Sequence, residues 1–491
     1  MKSNTIFKSE NSNTYLYDIN SLYVLNLHPI VEDIHSYITD GQPPENLTRV
    51  LSEKYPELSD FEVQLYQRKY SFLKSKGFFD DVNIESLLSG KVSPKHIESQ
   101  LVDLGVITLQ VTGECNLNCR YCCYGELYDG NIQDTRQPMD FDTVQKFFEY
   151  IIPFWNLNPF VKFVNIGFYG GEPLMNFSLI EQTVAHCKVL EASNNVKFDF
   201  SITTNAVLLD KYKEYLVEHD FRILFSLDGD EKGNSLRVDK SNRPSFERVF
   251  GNIKKLQKEY PDFFKNKVNF NSVLNNNSPV TEVNDFIFKE FEKIPMVATI
   301  SEVGLDKEKI KQYLEIMQPY IETDDLVSKR KERSSRIKDL GGFFYYYMNN
   351  SYKHYSEMLY FKKNVHKKIP TGTCLPFYRK LYITSDRKIY ACERIGFDHV
   401  LGTIDEKVNI DFEEIANKYN KIFAELIKQC SECFLAEICT ECLFQFPFEN
   451  DVPKCPKRYE EKDYKHFLSK KISLLENHPE FFDEVNKMTI E

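Results

Sequence analysis

The chain lacks any apolar run of transmembrane length, and no basic-then-apolar segment opens it. A cytoplasmic protein without a membrane partner is therefore expected. It also lacks an excess of positive charge. Lys and Arg number 62 against 73 Asp and Glu, and the first 80 residues hold no dense basic stretch, which disfavours nucleic-acid binding. No segment repeats, and low complexity is slight. What is present is a chain of 491 residues with 42% hydrophobic content, enough to bury two or three cores. Paired cysteines in a reducing compartment indicate metal ligation in preference to disulfides.

Three of those cysteines, Cys115, Cys119 and Cys122, lie in VTGECNLNCRYCCYG, after the apolar run Gly105 to Val111, which reads as a strand leading into a loop. Spacings of four and three would also place them on one helix face. A helix, however, would hold Cys115 and Cys122 about 10.5 Å apart along its axis, too far for three corners of one compact cluster. Gly113, Asn116, Asn118 and Gly125 favour a loop. Thiolates are the usual ligands of iron–sulfur clusters. Three of them leave one iron of a cubane open to a small molecule, whereas structural zinc closes its shell with four ligands. Cys123 offers another thiolate, but its neighbour Cys122 blocks it from the same cluster, so it reads as a packing or substrate-side residue. Cys187, on an expected helix Leu179 to Leu190, reads as a buried small apolar residue.

Further strand-like runs end in polar groups. Phe163 to Tyr169 runs into Gly170-Gly171-Glu172-Pro173. Glycines let the backbone approach a ligand closely, and a carboxylate suits an ammonium. In isolation the same residues are a turn after a strand. Phe198 to Thr204 and Arg222 to Leu227, separated by an expected helix Asp210 to His219, end in Thr204-Asn205-Ala206 and Ser226-Leu227-Asp228-Gly229. Val268 to Leu274 is a fifth such run. Binding groups at the carboxyl ends of successive parallel strands predict an α/β fold with a barrel or half-barrel.

The cysteine spacing, with Tyr121 before the third cysteine, resembles the signature of the radical S-adenosylmethionine (SAM) enzymes. That resemblance implies that Cys115, Cys119 and Cys122 hold a 4Fe–4S cluster whose open iron is chelated by SAM. It also implies that one electron cleaves SAM to methionine and a 5′-deoxyadenosyl radical, which removes a hydrogen atom from a substrate. Gly170, Gly171, Glu172 and Pro173 resemble the family's GGEP element, which meets the SAM amino group. The strand-end segments resemble its TTNG and SxDG elements, with Asn205 in place and Ala206 where glycine is usual. Ser201, Asp228 and Arg237 are then candidates for the SAM ribose or carboxylate, the alternative being helix caps or surface pairs. The end of the Val268 to Leu274 run would face the adenine.

A second group comprises Cys374, Cys392, Cys430, Cys433, Cys439, Cys442 and Cys455, for which zinc is the alternative reading. Their order resembles the SPASM domain, which carries auxiliary 4Fe–4S clusters in peptide-modifying radical SAM enzymes. The resemblance implies an inner cluster on Cys374, Cys392 and Cys442 and an outer one on Cys430, Cys433, Cys439 and Cys455, so three clusters in all. The inner one has an open iron or a fourth ligand of another type. Departures bear on this ligand assignment. Seventeen residues separate Cys374 from Cys392, Arg387 takes the expected glycine position, and the gap from Cys439 to Cys442 is one residue short. Glu393 matches a position where sulfatase-maturating relatives carry an aspartate proposed as a base. An ordinary surface acid is the plainer reading.

At the front, Thr14 to Asp18 and Ser21 to Leu27 read as a hairpin. Helices are expected over His28 to Thr39, Pro44 to Tyr55 and Asp60 to Lys76, with Gly77 as a stop. A small sheet with three helices resembles the winged-helix recognition element that binds the leader of a ribosomally made precursor peptide. An exposed sheet edge can accept such a peptide as an added strand. A winged helix used for DNA or dimerisation is the alternative.

The expected organisation is a winged-helix-like α+β domain over 1–80, a linker over 81–104 and a partial (β/α)6 radical SAM core over 105–310. A helical bridging segment over 311–365, a cysteine-rich SPASM domain over 366–465 and a C-terminal helix over 466–491 complete it. The aromatic run Phe343-Phe344-Tyr345-Tyr346-Tyr347 reads as core. This order resembles the radical SAM maturases of ribosomal peptides, including those that form thioethers. It implies an intramolecular cross-link in a precursor peptide and a flavodoxin or ferredoxin as electron donor. Closing a thioether at a carbon radical removes one further electron, which auxiliary clusters could accept. The rivals are sulfatase maturation, carbon–carbon cross-linking, epimerisation and, outside enzymes, a zinc-bound peptide- or DNA-binding scaffold.

Overall fold

The computed structural model describes residues 5–18, 23–80, 83–128, 136–302, 304–318, 368–396, 398–436, 439–450, 452–456 and 458–481. The aromatic run 343–347 and most of the expected bridging segment lie outside these. Two compact units divide the chain. One comprises Met1–Lys91, Asp324–Thr373 and Asn420–Glu491, the other Val92–Thr323 and Cys374–Tyr419.

The first unit opens with an antiparallel sheet in the order β1 (Thr5–Lys8), β2 (Thr14–Asp18), β3 (Tyr23–Leu27). Alternation along a strand sends neighbouring side chains to opposite faces. On one face Leu16 and Leu27 pack with Ile30, Val31 and Ile34 of α1 (Pro29–Thr39), Leu51 of α2 (Leu47–Lys54) and Val63 and Leu73 of α3 (Asp60–Ser75). Helix α3 starts where Ser59 and Glu62 cap each other's backbone amides, and the chain leaves it through Gly77 at φ 88°. The hairpin and three helices match the sequence reading. Strand β1 adds to it, and its Thr5-Ile6-Phe7-Lys8 carries no period-two signal in the sequence. The segment expected as a linker contains α4 (Ile84–Leu87) and α5 (Pro94–Asp103), capped by Asn83 and Ser93.

The second unit, which includes α5, is built on one sheet. Six parallel strands follow one another in sequence order: β4 (Val106–Thr112), β5 (Lys162–Gly170), β6 (Val196–Thr204), β7 (Arg222–Ser226), β8 (Val268–Leu274) and β9 (Met296–Thr299). Between them run α6 (Phe141–Trp155), α7 (Phe177–Ser193), α8 (Leu209–Glu218), α9 (Phe246–Glu259), α10 (Pro261–Lys267) and α11 (Val280–Phe291), with α12 (Ile310–Ile316) after β9. This is the expected α/β architecture with six β/α repeats. Strand β4 is buried along nearly its whole length, as a central parallel strand covered on both faces must be.

Beside β4 lies β10 (Lys380–Ile383), also parallel, followed by the antiparallel β11 (Lys388–Tyr390), β12 (Gly402–Ile404) and β13 (Val408–Asn409). The sheet therefore has ten strands with β13 and β9 at its edges, and residues expected in the cysteine-rich domain extend the core's sheet. The β10–β11 turn carries Arg387 at φ 65°, the conformation the missing glycine would have taken. Its guanidinium pairs with Asp140, the N-cap of α6, at 2.6 Å.

Helix α13 (Phe412–Cys430) leads back into the first unit, which ends with the short ladder of β14 (Phe448–Glu449) and β15 (Val452–Pro453) and with α14 (Glu461–Asn477). The second face of the N-terminal sheet is buried here. Phe7 and Tyr17 share one core with Ile84, Leu88, Cys430, Ala436, Tyr464, Leu468 and Ile472. Polar contacts reinforce it, since the Tyr15 hydroxyl and the Asn13 amide both donate to Glu476 (2.7 and 2.8 Å). Among the described residues no helix is long and apolar enough to cross a membrane.

Candidate functional site

Strand β4 delivers the chain into the Cys115–Cys122 segment, which is a loop. The Asn118 amide donates to the Val238 carbonyl (2.7 Å) and the Arg120 amide to that of Leu236 (3.0 Å), while Leu117 bridges Asp239. Three residues are thus fixed along 236–239. Cys122 then turns back on Cys119, amide to carbonyl, at 3.0 Å.

Donors point at two of the sulfurs. The Leu117 amide and the Asn205 side-chain amide lie 3.4 and 3.5 Å from Cys115 Sγ, and Arg237 Nη1 lies 4.0 Å from Cys119 Sγ. Asn116 Nδ2 is buried beside Cys115 without a partner. Burial pushes the Cys115 and Cys119 thiols up to about 12, with Arg237 opposing at Cys119. Ligation to a cation removes that proton, and N–H groups aimed at sulfur are what a cluster's thiolates and sulfides accept. The donor set and the unpaired Asn116 amide therefore fit an iron–sulfur cluster. Among the described residues no three His, Cys, Asp or Glu side chains gather closely enough for a single ion. A cubane takes each thiolate on a separate iron and spaces its ligands more widely.

The turn after β5 lies against this loop. Gly170 has φ 122°, and a Cβ there would stand 2.3 Å from the Thr112 carbonyl oxygen. One on Gly171 would stand 2.1 Å from that of Glu114. Both glycines are required by the contact with the segment entering Cys115. Glu172 is fully buried and accepts from the Thr204 hydroxyl (2.8 Å), the Asn205 amide (2.8 Å) and the Leu174 amide (3.1 Å). Burial raises its carboxyl to about 7, against those three donors. A carboxylate has about four acceptor positions, so one remains for an ammonium. Asn205 also donates to Asn116 (2.8 Å), which joins the ends of β5 and β6 to the cysteine loop. Ala206 holds φ 61° while fully buried, keeping the glycine conformation with a methyl group.

Asp228 and Arg237 are paired with each other in the interior, through Nε–Oδ2 at 2.9 Å and Nη2–Oδ1 at 3.0 Å, and Tyr121 donates its hydroxyl to Asp228. Ser201 sits mid-strand and donates to Asn165 Oδ1 (2.8 Å). Glu393 is mostly buried and pairs with Lys380 Nζ at 2.6 Å. Cys123 and Cys374 are exposed, and Cys187 is buried as expected. Cys392 Sγ accepts from the Arg394 amide at 3.4 Å. In the first unit the Cys433 amide bonds to the Cys430 carbonyl (2.9 Å), and Gln429 accepts from the Cys455 amide (3.1 Å). Burial raises the Cys439 thiol, and Cys433 and Cys455 are near enough to raise it further.

Residues 109–286, which run from within β4 into α11 and include the cysteine loop, match the Radical SAM superfamily. An uncharacterised protein of Methanocaldococcus jannaschii is 32% identical over 237 residues, 48% of this chain and 74% of that protein. The chain belongs to the radical SAM superfamily. As a radical SAM enzyme it carries a 4Fe–4S cluster and uses SAM, and the geometry around Cys115, Cys119 and Cys122 suits both. Among other relatives, the radical SAM cyclopropyl synthase TigE of Paramaledivibacter caminithermalis is 27% identical over 210 residues, 40% of each chain. The cysteine-type anaerobic sulfatase-maturating enzyme of Clostridium novyi is 26% identical over 193 residues, 39% of this chain and 48% of that enzyme. These two matches span less than half of either partner.

Several residues of the radical SAM site were not read from the sequence. In the sequence Asn116 reads as a loop former and Thr204 as part of a motif, whereas in the structure Thr204 donates to Glu172. Gln110 is buried in β4, accepts from the Ser385 amide (3.1 Å) and reaches the Tyr124 hydroxyl (3.4 Å). That hydroxyl in turn meets Tyr382 of β10 at 3.1 Å. A lone glutamine inside an apolar strand was the available signal.

Proposed function

We propose that this radical SAM enzyme acts on a ribosomally made precursor peptide, which it holds through residues 1–80, and that it forms an intramolecular cross-link in that peptide, a thioether being the favoured bond. The observation that carries this reading is the N-terminal sheet. In the order β1-β2-β3, strand β3 is an outer strand, and α14 packs against β1 at the opposite edge. An extended peptide can pair with β3 through main-chain hydrogen bonds. Phe61, Leu65 and Phe72 leave an exposed apolar face on α3, as a side-chain-binding surface requires.

When bound, the cluster and SAM supply a radical able to remove hydrogen from carbon. The chain's residues hold the loop, present Glu172 as an acceptor and exclude water through the buried Glu172–Thr204–Asn205 contacts. Cys430, Cys433, Cys439 and Cys455 are proposed as ligands of an outer auxiliary cluster within the C-terminal cysteine region. The cyclopropyl synthase relative supports bond formation and keeps carbon–carbon closure open. The Clostridium novyi relative favours a second reading, sulfatase maturation.

The test offers the anaerobically reconstituted enzyme, with dithionite and SAM, two peptides. One is any short peptide encoded beside its gene, and the other carries a sulfatase maturation site. Loss of two hydrogens from the first, with its leader protecting the outer amides of β3 from hydrogen exchange, is expected. Modification of the sulfatase peptide alone would favour the second reading.

A further inference from the structure

Asp228 and Arg237 occupy positions from which SAM contacts would be expected, yet their hydrogen bonds run to the cysteine loop. Asp228 is fully buried. Its Oδ1 accepts from Arg237 Nη2 (3.0 Å) and the Val273 amide (2.9 Å), and its Oδ2 from Arg237 Nε (2.9 Å) and the Tyr121 hydroxyl. Four donors fill the roughly four acceptor positions of a carboxylate, leaving none for a ribose hydroxyl. Arg237, 7% exposed, lies 5.4 Å over the Tyr121 ring and turns Nη1 toward Cys119 Sγ at 4.0 Å. The flanking residues Leu236 and Val238 hold the backbone of Arg120 and Asn118. Guanidinium and loop therefore form one piece.

We propose that Tyr121, Asp228 and Arg237 are positioning residues that set the reduction potential of the cluster held by Cys115, Cys119 and Cys122, acting through the loop and the Cys119 sulfur. The inference rests on the assignment of that cluster to those three cysteines. A positive charge and an N–H donor beside a ligating thiolate favour the more negative, reduced cluster and raise its potential. Asp228 orients the guanidinium and partly offsets its charge, and the Tyr121 hydroxyl offsets Asp228.

The test is an EPR-monitored redox titration of the reconstituted holoenzyme, with iron content and SAM affinity measured in parallel. The cluster is distinguished from others by its response to SAM. Removing Arg237 alone would strand a buried carboxylate, so the charges are removed together as Asp228→Asn with Arg237→Gln. With iron retained, the reduced-to-oxidised ratio at a fixed potential, read before SAM is added, is expected to fall about tenfold, which is about 59 mV for one electron. Tyr121→Phe, which changes no charge, is expected to lower that ratio by about twofold, and it decides the matter if the double variant fails to hold iron. An unchanged potential in a variant that retains its iron would overturn the inference, as would a tenfold loss of SAM affinity at unchanged potential. Absence of iron from the wild-type protein would instead overturn the cluster assignment.

Discussion

Polar groups are aimed at the sulfurs of Cys115 and Cys119, whereas Cys430 and Cys433 are packed into an apolar core. At the first set, amides of Leu117 and Asn205 and the guanidinium of Arg237 approach the sulfurs. At the second, Cys430 lies among Phe7, Tyr17, Tyr464 and Leu468, with Cys433 packed against the same core. The contrast separates two uses of cysteine. Directed donors adjust the charge and potential of whatever the sulfurs hold. An apolar core that includes a ligand ties ligation to folding, and here that core is also one face of the N-terminal sheet.

The largest effect that would break this contrast is on turnover. Cys119→Ala is expected to lower 5′-deoxyadenosine release by more than about 100-fold, beyond the 10–100-fold typical of losing a group behind a ligand, with hydrogen exchange in β1–β3 unchanged. Cys433→Ala is expected to do the reverse, retaining SAM cleavage while loosening β1–β3. Equal loss of SAM cleavage in both would erase the distinction. Next comes Tyr464→Ala, which removes a fully buried ring that packs edge-on to Tyr17 at 5.7 Å. It should destabilise the first unit by about 3–5 kcal/mol, read by denaturant unfolding. Gly171→Ala places a methyl 2.1 Å from the Glu114 carbonyl oxygen and should cost about 1–3 kcal/mol, with iron lost from the first set before the second. The smallest concerns Arg387. Arg387→Gly should be more stable than Arg387→Ala by about 1 kcal/mol, because only alanine retains the strain of φ 65°.

Much of the first site was legible because its signals are local. The Cys115–Cys122 spacing, the glycines at 170 and 171, and the runs that became β4 to β8 each depend on a few consecutive residues. What the sequence hid depends on partners far apart along the chain. Tyr121 and Asp228 meet across 107 residues, so Asp228 could not be read as a support of the cysteine loop. Strands β10–β13 join β4 across the residues between them, and no periodicity announces a parallel pairing made after such a gap. The sharing of a core between Phe7 and Leu468 is likewise invisible locally, because each end alone reads only as amphipathic. Ala206 and Arg387 were departures from expected glycines, and the structure shows the left-handed backbone retained at both.

The account stands most directly on SAM cleavage by the Cys115, Cys119, Cys122 loop. The decisive measurement is 5′-deoxyadenosine release by the anaerobically reconstituted chain with dithionite and SAM, compared with the variant in which these three cysteines are alanine. Release by the wild-type chain and none by the variant is the predicted result. Equal release by both, or none from wild-type protein that holds iron, would contradict it.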